Sequence, residues 1–312
     1  MTIAFVFPGQ GSQAVGMGEA LLASFPTARE TLEEVDDALS LNLSRLVRDG
    51  PAEDLTLTEN TQPALMAIGM AVLRVLVRDA GFDFVGRVSR VAGHSLGEYS
   101  ALAAAGSFSL ADAARLLRTR GRAMQEAVPV GEGAMAALLG ATLEQARGIA
   151  GDAAENQVCD IANDNAPGQV VLSGNSEAVE RAVALAKERG IRRAVMLSVS
   201  APFHCRLLRP AAEIMEEALS TVDMNPPEPP LVANVSAETV SDPDEIRELL
   251  VAQVTGLVRW RECVLALRAA GVETAVEIGA GKVLTGLARR IDPDLAALSV
   301  ESPDDIEALL KL

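Results

Sequence analysis

The stretch most able to do chemistry is Gly93-His94-Ser95-Leu96-Gly97. Residues 88–92 before it are β-prone, and residues 98–105 after it are alanine-rich and helical in character. Strand, sharp Gly-x-Ser-x-Gly turn and helix make a nucleophile elbow, which lifts its serine clear of the chain. The glycines allow the bend and keep side chains away from the serine. Ser95 then stands at a helix N-terminus, where free N–H groups and the dipole favour developing negative charge. Ser95 is expected to be a nucleophile.

A serine nucleophile needs a general base that works near neutral pH, and histidine is the usual one. The chain has two, His94 and His204. His94 adjoins the nucleophile, and neighbouring side chains on the strand entering the elbow point to opposite faces. That leaves His204, on a loop that contains Pro202. A lone loop histidine is more often inert, so the assignment rests on the need for a base. Spacing does not choose the group that orients the imidazole. Carboxylates are plentiful, and a backbone carbonyl would also serve.

Arg120 is the third candidate. Residues 110–125 read as a helix, with Ser109 as N-cap and Asp112 in the first turn. Ala113, Leu116, Leu117 and Met124 form its apolar stripe, and Arg120 falls in the middle of it. Arg115, Arg118 and Arg122 lie on the other face. An arginine turned inward needs an anionic partner, because an unpaired buried ion costs several kcal/mol, of the order of ~3–5. Its planar fork suits a carboxylate held bidentately. That carboxylate could be an internal Asp or Glu, or it could belong to a ligand.

The elements that must position these groups follow from the pattern. Residues 3–7 read as a buried strand that ends at Pro8 and a glycine loop, Pro8–Gln13. No Gly-Lys-Ser/Thr follows and the spacing misses Gly-x-Gly-x-x-Gly, so the loop is not a nucleotide-binding fingerprint. It reads as a strand-end loop that lets the backbone and Gln10 approach a ligand. Residues 17–47 are helical in pattern, with acidic solvated faces. Asn60-Thr61-Gln62-Pro63 leads into an apolar helix over 64–80 that packs beside the elbow and carries no chemistry of its own. Residues 129–199 change rhythm. Strands at 134–139, 158–162, 169–173 and 194–199 alternate with helices at 143–154 and 176–189, the latter capped by Ser176, and residues 163–168 read as a turn. That order, βαββαβ, is the ferredoxin-like unit, expected as an insertion in a larger α/β domain. A helix over 207–221 and a proline-rich connector precede a strand at 231–235. Helices at 246–254 and 261–270 surround Trp260, a packing residue. A last strand at 274–278 and a structural glycine turn lead into a helix at 283–290.

Composition sets the limits. With 312 residues the chain can build one large domain with a smaller insert. A formal charge of −16 argues against nucleic acid as the main partner. Cys159, Cys205 and Cys263 are odd in number and far apart, so neither a disulfide framework nor a metal site is expected. The N-terminal run has no basic n-region and breaks at Pro8, unlike a signal peptide. No apolar run reads as long enough to span a bilayer. A soluble cytoplasmic protein is the expectation.

Together the motifs form a recognisable set. Phe7–Gln13, Gly93–Tyr99, Arg120-Gly121, Asn165–Gln169, Phe203-His204, Glu277–Gly279 and Lys282–Gly286 stand in order over nearly the whole chain. The sequence resembles the malonyl-CoA:acyl-carrier-protein transacylases of bacterial fatty-acid synthesis. The resemblance implies an α/β-hydrolase-like domain from 1–128 and 200–312, with a ferredoxin-like insertion over 129–199. It implies a ping-pong reaction in which Ser95 takes the malonyl group as an ester and His204 moves the protons. Backbone N–H groups of Gln10 and Leu96 would form the oxyanion hole, and Arg120 would hold the malonyl carboxylate. The backbone carbonyl of Gln253 would orient His204, and Phe203 would leave little room for a branched acyl unit. Ala233-Asn234 stands where many relatives have two asparagines, which leaves the local polar network open.

The partners implied are malonyl-CoA and acyl carrier protein. Coenzyme A enters as the thioester substrate and no cofactor or metal is held permanently. Neither nucleic acid nor a membrane is expected to take part, and the chain is expected to act as a monomer. Both substrates are anionic, so basic residues should gather near the cleft, drawn from Arg115, Arg118, Arg122, Lys187, Arg189, Arg192 and Arg193. A polyketide-pathway acyltransferase, a serine thioesterase or esterase, and a carrier-binding subunit without turnover are the rival readings.

Overall fold

The computed structural model describes residues 2–312. In chain order its strands are β1 (Ile3–Phe7), β2 (Val88–Gly93), β3 (Gly133–Leu139), β4 (Cys159–Ala166) and β5 (Gln169–Asn175). They continue with β6 (Arg193–Met196), β7 (Leu231–Val232), β8 (Thr239–Val240), β9 (Thr274–Ile278) and β10 (Ala296–Val300). Two sheets result. The larger has the order β10-β9-β1-β2-β7-β8 and is parallel except for β8. The smaller, β4-β5-β3-β6, is antiparallel and is built from one continuous stretch of chain.

β1 shows why the large sheet is covered on both faces. All five residues of Ile-Ala-Phe-Val-Phe are buried. Ile3, Phe5 and Phe7 enter the core under the helices Thr58–Arg74, Leu96–Ala104 and Leu110–Glu126. Ala4 and Val6 face the opposite core, with Trp260 and the helices Trp260–Ala269 and Val283–Ile291. Successive side chains leave a strand on opposite faces, so a strand between two helical layers is apolar throughout. The small sheet packs one face on the helices Leu143–Ala154 and Ser176–Glu188. Its other face carries Met135, Ala162 and Val171, with Leu197, Val199 and Phe203 against them. The four-stranded sheet with two helices on one face is the expected βαββαβ unit.

Several element boundaries depart from the sequence reading. The long apolar helix begins at Thr58, not 64, and runs through Pro63 before a π-helical turn over Val75–Asp79. Proline leaves the carbonyl four residues earlier without its helical donor. Here Arg118 Nη1 donates to that carbonyl, Glu59 O, at 3.1 Å. The segment Thr58–Asp79 is also long and apolar enough to cross a membrane, which the sequence reading had excluded, but most of it is buried inside the protein. Residues 163–166 are not a turn but part of β4, bulged against β5 and bridged to Val258 on the other side. Ser176 is not a cap. Its hydroxyl donates to Gly131 O, and the capping position belongs to Asn175.

Candidate active site

β1 and β2 are parallel neighbours, with Phe7 opposite Gly93. Their C-terminal ends therefore deliver Gln10 and Leu96 side by side, in the crevice where open α/β sheets place their ligands. His94 N donates to Phe7 O at 3.0 Å and clips the two ends together. A Cβ on Gly93 would lie 1.9 Å from the Gly97 carbonyl, and one on Gly97 would lie 2.2 Å from Phe7 O. Only glycine lets these backbones approach so closely. Between the two glycines Ser95 is forced to φ 55°, ψ −111°, a conformation that costs an L-residue roughly 1–3 kcal/mol. Asn234 holds the strained turn. Its Oδ1 accepts from Ser95 N at 2.8 Å and its Nδ2 donates to Gly93 O at 2.7 Å. β7 stops at Val232, and the chain then swings Asn234 beneath the elbow.

Ser95 and His204 meet with an Oγ–Nε2 distance of 2.8 Å. On the far side of the imidazole, Nδ1 lies 2.8 Å from the carbonyl oxygen of Gln253. A carbonyl only accepts, so Nδ1 carries the proton and Nε2 is free to take the one on Ser95. Burial, and next the positive charge of Arg120, push the His204 pKa down to about 3. The imidazole is neutral, and a base, throughout the ordinary pH range.

Arg120 is buried and packs over the Tyr99 ring. Its Nη2 donates to Ser95 Oγ at 3.1 Å and to Gln253 Oε1 at 2.7 Å, and Nη1 donates to Gln62 Oε1 at 2.8 Å. Nε has no partner. Among the described residues no carboxylate comes within 4.0 Å of the guanidinium. The internal ion pair that the sequence left open is not formed. Burial lowers the Arg120 pKa, with Tyr99 and Glu98 opposing.

Gln253 does more than the sequence assigned to it. Arginine only donates, so the amide must turn Oε1 to Arg120 and leave Nε2 to give. Nε2 donates to Ser95 O at 3.0 Å and to the Glu98 carboxylate at 2.5 Å. Glu98 is buried, and burial lifts its pKa to about 7 against the pull of Gln253, the Asn234 N–H and Arg120. Gln62 and Glu98 are the polar site residues that sequence reasoning missed, and Asn234, whose polar network it left open, bonds Ser95 N and Gly93 O. Gln62 lay in a segment read as free of chemistry.

Ser95, His204, Arg120 and Gln62 line a cleft of about 340 Å³ between the two sheets. Gln10, Leu96 and Phe203 are on its wall, as is His94. The backbone N–H groups of Gln10 and Leu96 have no acceptor among the described residues. His94 is turned away from the nucleophile. Its Nε2 meets Asn165 Oδ1 of β4 at 2.8 Å and its ring lies against Trp260, 5.7 Å between centroids. The described residues contain no group of three or more His, Cys, Asp or Glu placed to hold a metal. Of the seven residues expected in a basic patch, four are spent in ion pairs: Arg115–Asp112, Arg118–Glu59, Arg122–Glu126 and Arg189–Asp152. Among the described residues Lys187, on the helix Ser176–Glu188, and Arg192 and Arg193, at the start of the edge strand β6, are exposed without an ion pair. The patch is smaller than composition suggested, because helical i,i+3 and i,i+4 neighbours neutralise Arg115 and Arg122, and carboxylates distant in sequence neutralise Arg118 and Arg189.

An acyl transferase domain family matches residues 4–291. The malonyl CoA-acyl carrier protein transacylase of Bacillus subtilis strain 168 is 45% identical over 312 residues, covering 99% of this chain and 96% of the relative. The crystal structure of an acyl-carrier-protein S-malonyltransferase from Bartonella henselae superposes with a TM-score of 0.97 at 57% identity, covering 100% of this chain and 99% of that one. A malonyl-transacylase solved with a type II polyketide acyl-carrier protein gives 0.96 at 42% identity, covering 100% of this chain and 99% of the other.

Proposed function

The chain belongs to the acyl transferase domain family, and on that premise we propose that it moves a malonyl group from malonyl-CoA to the phosphopantetheine thiol of acyl carrier protein, supplying fatty-acid elongation. The observation that carries this reading is Arg120, buried beside the nucleophile with no carboxylate of its own. An esterase for neutral acyl groups has no use for such a cation. A malonyl group supplies its missing partner.

The steps follow from the site. His204 Nε2 takes the Ser95 proton as Oγ attacks the thioester carbonyl. The N–H groups of Leu96 and Gln10 receive the oxyanion, a contribution of about 2.7–4 kcal/mol per donor. Coenzyme A leaves as its sulfur takes the proton from His204, and malonyl remains as an ester on Ser95. Its carboxylate takes the Arg120 hydrogen that now points at Ser95 Oγ. The pantetheine thiol then gives its proton to His204 and attacks the ester, and that proton returns to Ser95. No cofactor is needed, and every group named comes from one chain, which supports action as a monomer. Both substrates are water-soluble, which supports action in the cytoplasm. Phe203 on the cleft wall disfavours a methyl branch on the acyl unit.

Lys187, Arg192 and Arg193 are the docking cations we assign to the acidic carrier. A polyketide carrier is the second reading, favoured by the complex of the 42% identical relative. The test is intact-protein mass after brief exposure to malonyl-CoA, then after addition of phosphopantetheinylated carrier. A malonyl-sized gain, absent in Ser95→Ala and passed to the carrier, is the expected result. A gain that decays in water without reaching the carrier would make the protein a hydrolase.

A further inference from the structure

Three hydrogen bonds lead away from Arg120 to the loop after β1. Arg120 Nη1 donates to Gln62 Oε1 at 2.8 Å, Gln62 Nε2 donates to Thr58 Oγ1 at 3.0 Å, and Thr58 Oγ1 donates to Gln10 Oε1 at 2.8 Å. Thr58 and Gln62 are both buried. The chain has one polarity. A guanidinium only donates, so Gln62 must present its carbonyl to Arg120 and its NH2 to Thr58. The Thr58 oxygen accepts there, which leaves its proton for Gln10 alone. Each link is fixed by the one before it, and the source of the order is the charge on Arg120. The far end is the side chain of Gln10, which lines the cleft with Ser95 and whose backbone N–H has no acceptor among the described residues.

We propose that Thr58 is a positioning residue that couples recognition of the substrate carboxylate to assembly of the oxyanion site. This rests on the transacylase reading above. Gln10 sits in a glycine loop, with Gly11 at φ 110°, and the loop's internal tie is Gly11 N to Gln13 Oε1 at 2.7 Å. Gln10 itself is anchored across to the helix Thr58–Arg74 through the Thr58 hydroxyl. An acyl group that engages Arg120 stiffens the chain from its origin and holds the Gln10 N–H in line. An acyl group without a carboxylate leaves the chain unloaded. Selection then acts on the rate of acylation as well as on binding, the way discrimination is strongest in enzymes.

The experiment measures Ser95 acylation by rapid quench with malonyl-CoA in the wild type, Thr58→Val, Thr58→Ser and Gln10→Met. Thr58→Val keeps the shape and removes the hydroxyl. Its acylation rate should fall about tenfold, the scale of one net hydrogen bond, with KM for malonyl-CoA within about twofold by that same arithmetic. Thr58→Ser should restore the rate. Gln10→Met, which keeps the backbone N–H and loses the anchored oxygen, should repeat the loss even if Thr58→Val folds poorly. Wild-type rates in both Thr58→Val and Gln10→Met would overturn the proposal, as would equal losses in the Ser and Val variants, which would trace the effect to the methyl group. A wild type that takes no malonyl overturns the transacylase reading and this one with it.

Discussion

Arg120 Nη2 donates to Ser95 Oγ at 3.1 Å, so the buried cation and the nucleophile are direct neighbours. Among the described residues Arg120 is the one buried arginine or lysine. A charge that ends on an alcohol and two amides is held in reserve for a stronger partner.

Removing that charge should change which acyl group is accepted. In Arg120→Ala the malonyl carboxylate would be buried without a counterion, a loss of roughly 3–5 kcal/mol. kcat/KM for malonyl-CoA should fall by about two to three orders of magnitude. Acetyl-CoA should become the better substrate of the two. Steady-state kinetics on both thioesters decides it, and an unchanged malonyl preference would remove Arg120 from the site.

The rate of Ser95 acylation should be level from pH 8 down to pH 5. With its pKa lowered to about 3, His204 stays neutral across that window. An inflection near 6.5 would mean the imidazole is solvated. The same shift has a cost in stability. The unfolded chain protonates this histidine below about 6.5 and the folded one does not, so its contribution falls as pH drops from there towards 3.

Glu98 has the opposite slope. Its folded pKa is raised to about 7, so the native state keeps a proton that the unfolded chain releases near 4.5. Stability from this group is lost as pH rises between those values. Glu98→Gln should therefore gain on the wild type in denaturant titrations at pH 8 relative to pH 5. A difference independent of pH would show that Glu98 does not titrate in that window.

Gly97→Ala should remove the elbow. The new Cβ would meet Phe7 O at 2.2 Å and Pro8 O at 2.9 Å, both backbone. Overpacking costs about 1–3 kcal/mol, and rigid backbone on the other side places this case at the upper end. Loss of acylation with a lowered Tm is expected, and a fully active variant would show that the β1 loop yields.

Reversing Arg192 and Arg193 to Glu should raise KM for the carrier several-fold by the loss of long-range attraction, and the effect should shrink with salt. The rate of malonyl loading should be unchanged. Carrier kinetics equal to wild type would clear the small sheet's edge of a docking role.

What was legible in the sequence was local. The elbow is contiguous, so its glycines, strand and helix signal one another over a few residues. The inward position of Arg120 follows from helical spacing, and so does its paired, outward set of arginines. The rest depends on residues that meet only after folding. Pro63 reads as a boundary, since proline disfavours helix before it, and that reading concealed Thr58 and Gln62 inside the first turns. Asn163-Asp164-Asn165 has turn composition. The segment is strand through its bulged ladder with β5, and on its other side Val258 bridges it and Arg261 pairs with the Asp164 carboxylate at 2.8 Å. Val258 and Arg261 are remote in sequence, and no local pattern announces them. The carbonyl of Gln253 is reached only through the family resemblance, and the contact of its amide with Arg120 has no sequence signal at all.

The small sheet interrupts the chain between the nucleophile and its base, yet it lends the reacting groups almost nothing. Ser95, Arg120, His204, Gln253, Asn234 and Gln62 all lie outside the stretch from β3 to β6. Within that stretch Asn165 reaches His94, and apolar side chains roof the cleft. On the docking proposed above, a different carrier would be suited by changes in the roof and its charged rim, leaving the groups beneath as they are.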